Sequence, residues 1–375
     1  MEKFSGQWIG TLSGTQDGLV LLDLDHRKQW LEGSIYGFLN ADDGPNVYAP
    51  LIANPVENKL EFKVRPIALH PNQPRVAAAG EFATENFPAE ISISIELATS
   101  GAEGTWKADN GQEGTLKLTK SAADQPSQLV AEPGIHDWAS FQQEVAKNID
   151  RPYATIFRGQ SSAWRLRTAF HRTRRKDLVR YWEEDVPRLR KASVGHLGNT
   201  FGHMDPGHNG AFLHLLQHHG YPTPMLDWTY SPYIAAYFAY SSFADNFHSN
   251  SDTSGKVRIY MFDAHSWKLD FNQIVNLTHC RPHFSLIEPL AIANPRALPQ
   301  QSVASISNVD DIEGYITYQE SLTANKYLKV YDLPQSEYED VLRQLGYMGI
   351  SPGSLFPGIE GLCREYRHRQ FGYDP

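Results

Sequence analysis

Cysteine is scarce in this chain: Cys280 and Cys363 are the only two in 375 residues, and they stand far apart. A secreted protein of this size ordinarily carries more, so reduced thiols and a cytoplasmic location are expected. Long apolar runs are missing as well. No stretch of about 18 apolar residues occurs, which excludes a transmembrane helix and sets aside a membrane partner. The opening MEKFSGQWIG lacks the apolar segment of a secretory signal. Nor is there an excess of positive charge: the net charge is -9, which argues against bulk affinity for nucleic acid. What remains is ordinary globular usage. Hydrophobic residues at 41% and charged residues at 21% exclude a disordered chain, a collagen-like repeat and a coiled coil. At roughly 150 residues per domain the length suggests two to three domains, each long enough to bury a core.

The charge is unevenly spread. Residues 1–125 carry 17 acidic and 10 basic residues, the remainder 26 and 24, so two parts with different partners are expected. The first part reads as β. Period-two runs recur at 8–12, 19–24, 30–38, 60–64 and 91–97, punctuated by turn residues. Asn110-Gly111 between two alternating segments marks a hairpin over 103–120. A weak echo (GQWIGT, LEGSIYG, AEGTWKA, QEGTLKL) fits a meander closing into a small barrel or sandwich. No titratable cluster lies in this part, so no chemistry is assigned to it. The polar, Pro/Gly-bearing stretch 121–136 reads as a linker. Beyond it Asp137 should cap a helix carrying Trp138, Phe141 and Val145. Further helices are expected at 178–191, at 211–217 ending by Gly220, at 232–240, and at 338–345 ended by Gly346. Strands are expected at 154–157 and 257–262. The fold class is therefore α+β: an N-terminal antiparallel β-barrel or sandwich at 1–120, a linker at 121–136, and a mixed α+β domain at 137–375.

Two segments stand out from background: IFRGQSSAW (156–164) and LLQHHGYPTPMLDWTYSPYIAAYFA (215–239). In the first, Arg158 follows an apolar strand and precedes Gly159. A glycine there lets a ligand approach the backbone while the guanidinium forks onto a phosphate or carboxylate. The alternative is an Arg paired to a buried acid such as Asp227. In the second, Ser231 or Thr229 caps a helix with Pro232 at its first turn. That reading needs no ligand. The same helix N-terminus would also attract phosphate, with Trp228 offering a flat face to a nicotinamide or adenine ring. His214, His218 and His219 form an HxxxH pattern, but Leu215 stands where a zincin needs Glu and no Cys pair assists, so no metal site is expected. His218 could face the Arg158 pocket or act as a structural hydrogen-bonder. Tyr221 sits in a turn stiffened by Pro222 and Pro224, where rigidity is the favoured role over substrate contact. Residues 164–191 hold ten basic and four acidic residues, with Arg172, Arg174 and Arg175 bunched together. They form either a solvated face or a nucleic-acid contact.

Together these segments resemble the FRG domain, a bacterial and phage-associated family named for Phe-Arg-Gly. NPRALPQQS (294–302) and LFPGIEGLC (355–363) are similar to its later motifs, so the resemblance spans about 137–363 in chain order. The chain departs from the family pattern at Pro224, Ser302 and Gly358. A remoter resemblance is to toxin-like ADP-ribosyltransferases, with Phe157-Arg158-Gly159 followed by Thr229-x-Ser231 and then Ala235 and Phe238. It implies an ADP-ribosyltransferase-like fold and NAD as cofactor. Arg158, Thr229 and Ser231 would be catalytic. Gln300 or Gln301 would stand where a catalytic Glu usually does, with Glu288 and Glu360 as spare acids. Gly159, Gln160, His218, Tyr221, Asp227 and Trp228 would border the cofactor. Gln carries no charge with which to stabilise a developing cation, which weighs against transfer. The family's company implies antiphage defence or a toxin. The rival reading is a non-catalytic nucleotide or nucleic-acid binder with a partner-docking β domain. A third makes Arg158, Asp227 and Thr229 a buried network that only holds the fold.

Overall fold

The computed structural model describes residues 2–40, 44–82, 87–99, 101–147, 153–197, 201–202, 205–246 and 255–371. Nine antiparallel strands build the first sheet: β1 Gly6–Gly14, β2 Gly18–His26, β3 Leu31–Leu39, β4 Asn46–Ala53, β5 Lys59–Val64, β6 Ile67–Leu69, β7 Ile91–Ala98, β8 Gly101–Ala108 and β9 Glu113–Lys120. Their spatial order is β5-β7-β8-β9-β1-β2-β3-β4-β6. Strand alternation turns Trp8, Leu22, Leu31, Phe62, Ile93 and Leu118 to the inside of the curl. The β8–β9 hairpin turns at Asn110-Gly111 as expected, with Gly111 at φ 88. Gly10 accounts for part of the glycine echo. A Cβ there would lie 1.8 Å from the Lys117 carbonyl oxygen, so the close approach of β9 requires glycine.

The expected closed barrel is instead a curled half-barrel. Among the described residues, the outer strands β5 and β6 share no ladder. Two strands escape pattern reading. β6 has only three residues, pairing with Asn46–Tyr48 of β4 and bridging from Leu69 to Val76. β4 contains Pro50, which sits beyond that pairing, where a missing N–H costs nothing.

Six antiparallel strands build the second sheet: β10 Thr155–Gln160, β11 Met225–Thr229, β12 Lys256–Asp263, β13 Phe284–Ile287, β14 Ser302–Ser307 and β15 Leu328–Pro334, in the order β13-β14-β11-β10-β12-β15. Helices Trp138–Ala146, Pro232–Asn246 and Tyr338–Tyr347 cover one face, over Phe157, Ile259 and Tyr331. Helices Ala264–Asp270 and Ile312–Thr323 cover the other, over Ile156, Trp228, Tyr260 and Phe262. Asp137 caps the first helix in a capping box with Ser140.

Two helix expectations need correction. The charged stretch from Leu178 is broken by a π-helical turn, Tyr181–Asp185, before Val186–Leu197. The wider turn brings Tyr181 and Val186, five residues apart, into one core. The helix at 338 runs through Gly346 to Tyr347, and the left-handed glycine is Gly349, at φ 80. Nor does the 121–136 stretch hang free. Ser127 N–H donates to the Ala163 carbonyl, and Glu132 N–H donates to that of Val330. Buried Arg258, paired with Asp332, donates to Ser127 Oγ and the Leu129 carbonyl.

The two sheets meet through polar groups. Gln7 Nε2 donates to Asp23 Oδ1 and to the Asn308 carbonyl, each at 2.9 Å, while its Oε1 accepts from Asp310 N–H. Asp25 accepts from Lys176 N–H. Ser34 donates to Asp177 at 3.3 Å. Val179 enters an apolar cluster with Leu21, Tyr36, Phe38, Tyr48 and Leu69.

Burial foremost, then neighbouring Asp25, pushes the Asp177 carboxyl up from 3.8 to about 7. Between those values the folded chain holds a proton that the unfolded chain has released, so stability falls as pH rises through that window. Asp177→Asn keeps an acceptor for Val179 N–H and Ser34 but loses the charge. The variant should melt several degrees higher than the parent at pH 8, with a clearly smaller gap at pH 5. Melting curves from pH 5 to 8 check this. Asp23 and Asp25, also pushed up chiefly by burial, leave a residual slope.

Candidate anion-binding cleft

The site begins with a fork in the second sheet. β10 and β11 pair only at Phe157↔Thr229 and then separate. The Arg158 side chain crosses the gap, and NH1 donates to the Asp227 carbonyl at 2.6 Å. A cleft of about 320 Å³ opens in the fork, lined by Arg158, Gln217, His218, Asp227, Phe238, Arg296, Gln300, Ser302 and Phe356 among others. Arg158 Nε is buried without an acceptor, and no described carboxylate comes within ion-pair distance of this guanidinium. Burial first, then neighbouring Arg172, pushes its pKa down to about 10, so it stays charged at neutral pH. The alternative of a pairing with the Asp227 carboxylate is not met; the bond goes to the Asp227 backbone.

The Asp227 carboxylate faces helix Pro206–His218 instead. Its Oδ1 lies 3.7 Å from His214 Nε2 and has no hydrogen-bond partner although buried. Asn294 fixes both imidazoles: its Oδ1 is 2.9 Å from His218 Nδ1, and its Nδ2 is 3.2 Å from His214 Nδ1. An amide can satisfy both only if His218 carries its proton on Nδ1 and His214 on Nε2. His214 Nε2–H then points to Ser302 Oγ at 3.1 Å and toward Asp227. Burial pushes the His214 pKa down to about 4, which keeps the ring neutral. Ligand atoms of His214, His218 and Asp227 lie within 4.8 Å of one another, close enough to hold a divalent cation. Helical spacing alone could not reveal that set, because its third member comes from β11.

The other expected residues divide. Thr229 Oγ1 donates to the Gln300 carbonyl, and Ser231 Oγ accepts from Ile234 N–H as the expected cap. Both hydroxyls serve the local fold. Gln300 borders the cleft with its amide donated to the Leu355 carbonyl, while Gln301 is exposed at φ 47. Trp228 is a core residue, 3% exposed, packed with Phe262 and Phe284 and donating to Ser305 Oγ, so its ring is no platform for a base. Gln160 is buried and donates to the Trp164 carbonyl. Tyr221 stacks near Tyr181 outside the cleft lining.

Gly159 serves packing. A Cβ there would lie 1.9 Å from the Ala235 carbonyl oxygen, so the chain that approaches its backbone is a helix and not a ligand. Of the spare acids, Glu360 pairs with Arg296 at the rim, whereas Glu288 bonds Tyr230 and Lys268 elsewhere. The basic run divides too. Arg175 is paired with Asp185 and Asp25, while Arg172 and Arg174 are exposed with no ion-pair partner among the described residues. Sequence reading had assigned no role to His214, Asn294, Arg296 or Ser302. Asn294 and Arg296 lay in a motif, but nothing in the sequence aimed them at the histidines.

The second sheet and its fork define a helix-flanked antiparallel α+β domain with a cationic cleft at its split. The family model of the FRG domain matches residues 153–247, within this region. The match includes Arg158, His214, His218, Asp227 and Thr229, and ends before Asn294, Arg296, Gln300 and Ser302. Searches of curated proteins and of solved structures return no match.

Proposed function

We propose that the cleft binds an anionic nucleotide, with NAD the first candidate, and that Arg158 holds its phosphate or ribose-phosphate portion. The observation that supports this is a half-buried guanidinium that lines the cleft, bonded to the Asp227 carbonyl and with no described carboxylate partner. An unpaired, half-buried charge is costly, and an anionic ligand offsets that cost. At about 320 Å³ the cleft lies at the low end of ligand pockets, so it encloses one nucleotide half of NAD.

The reading extends to ADP-ribosyl transfer. The nicotinamide–ribose bond breaks, nicotinamide leaves, and a nucleophile of a target macromolecule takes the ADP-ribosyl group. Asp227, with its partnerless Oδ1, supplies the carboxylate that chain order had sought at Gln300 or Gln301. A role in antiphage defence or as a toxin is an implication of the FRG resemblance alone. The second reading is nucleic-acid binding, favoured by unpaired, exposed Arg172 and Arg174.

Calorimetry with NAD, ADP-ribose and short oligonucleotides separates the two. Saturable binding of NAD or ADP-ribose is the expected result. Oligonucleotide binding that survives Arg158→Ala but falls in an Arg172/Arg174 double variant would replace it with the second reading. Nicotinamide release in the presence of a macromolecular acceptor tests transfer.

A further inference from the structure

The half-barrel has an interior that its core does not fill. A cavity of about 230 Å³ lies inside the curl. Its walls are Leu12, Val20, Val47, Ile93 and Leu116, and it is bordered by Gly37 and Ala49, two positions that bring little or no side chain inward. The Gly37 position explains part of the space. A Cβ there would meet only Leu12 Cδ2 at 3.4 Å and Val47 Cβ at 3.7 Å, ordinary contacts, so glycine is not demanded by crowding or by a positive φ. A well-packed core would carry a side chain at such a place.

The mouth differs from the walls. Gln16 and Gln112, from the β1–β2 and β8–β9 turns, stand beside Pro45 and Phe87. Among the described residues, no charged side chain lines the cavity. An apolar cavity without charged groups stays dry and accepts apolar molecules. Trp106 closes part of the wall, with its Nε1–H packed against Gly114 of β9 and giving the cavity no polar handle.

We propose that the N-terminal half-barrel is a binding site for an uncharged apolar small molecule. A cavity of roughly 150 Å³ holds benzene, so this one takes about two fused rings or a short alkyl chain. The lack of a lining cation disfavours fatty acids and other carboxylates in comparison with neutral ketones, esters or amides. The site lies on a different sheet from the Arg158 cleft and is independent of what that cleft binds.

The test uses the full chain and the uncharged fluorophore N-phenyl-1-naphthylamine, with neutral 2-acetylnaphthalene and anionic 2-naphthoate as competitors. Saturable one-site enhancement is expected, displaced by the ketone at least about tenfold more readily than by the carboxylate, because a buried charge without a partner is penalised. Gly37→Leu, which places a side chain in the cavity, should weaken the fluorophore by about tenfold or more, and Arg158→Ala should leave it unchanged. Ala49→Leu serves as the second filling variant should Gly37→Leu fail to fold. Absence of saturable binding, or binding that both folded filling variants retain, would overturn the proposal. So would preference for the carboxylate.

Discussion

Arg158→Ala is expected to weaken NAD or ADP-ribose binding by about 30- to 150-fold, the loss of roughly 2–3 kcal/mol that a charged hydrogen-bonding fork contributes. The structure makes this sharper than a motif could. The guanidinium donates one bond to the Asp227 carbonyl and leaves Nε–H over. Losing that bond should cost about 1 kcal/mol of stability, while removing a half-buried charge with no described acidic partner returns part of it. The melting temperature should therefore move by no more than a few degrees. Arg158→Lys should rescue binding poorly, because an ammonium on a flexible stem cannot present two donors in one plane. Calorimetry and thermal melting on the same two variants decide the matter. A melting temperature that collapses, with a parent protein that binds none of the nucleotides, would show Arg158 to be a strut of the fold.

Gly159→Ala should do the reverse: a large loss of stability with no selective effect on any ligand. The added methyl would sit 1.9 Å from the Ala235 carbonyl oxygen and 2.8 Å from the Ala239 amide nitrogen, both backbone atoms of helix Pro232–Asn246. Neither can swing aside as a side chain would. The helix would have to lift from β10, opening contacts around Phe157, Ala235 and Ala239. Overpacking of flexible cores costs about 1–3 kcal/mol, and a backbone-to-backbone clash belongs at or above the top of that range. Urea unfolding, read at the midpoint with an unchanged slope, measures it. A loss below 1 kcal/mol would mean that the helix sits less tightly on the sheet than its atoms indicate.

These two neighbours show how far the sequence could be read. Phe-Arg-Gly marked the right strand and the right arginine. It suggested the wrong visitor for the glycine, since a close approach reads the same whether a ligand or a helix makes it. The Asn110-Gly111 hairpin and the Asp137 cap were legible because their causes are local. β4 was hidden by Pro50, and the π turn at Tyr181–Asp185 by a charge pattern that a continuous helix would share. The cleft's acid was the least visible. Asp227 stood in plain view in Leu-Asp-Trp-Thr, but only the fold sets its carboxylate toward His214 and its carbonyl toward Arg158. Trp228 misled because an exposed aromatic and a core aromatic are spelled alike.

The single Phe157↔Thr229 pair has a mechanical meaning. The six-stranded sheet is two three-stranded leaves, β13-β14-β11 and β10-β12-β15, hinged on one rung. Within each leaf long ladders resist bending; between them the backbone supplies one rung, and the arginine's bond and the packing of Trp228 on Phe262 do the rest. The seam is thus the place where the sheet is held by side chains more than by its backbone ladder. A molecule seated there acts as a rivet. By joining the leaves it stiffens both at once, and helices Pro206–His218 and Pro232–Asn246, which line the cleft through His218 and Phe238, feel its arrival directly.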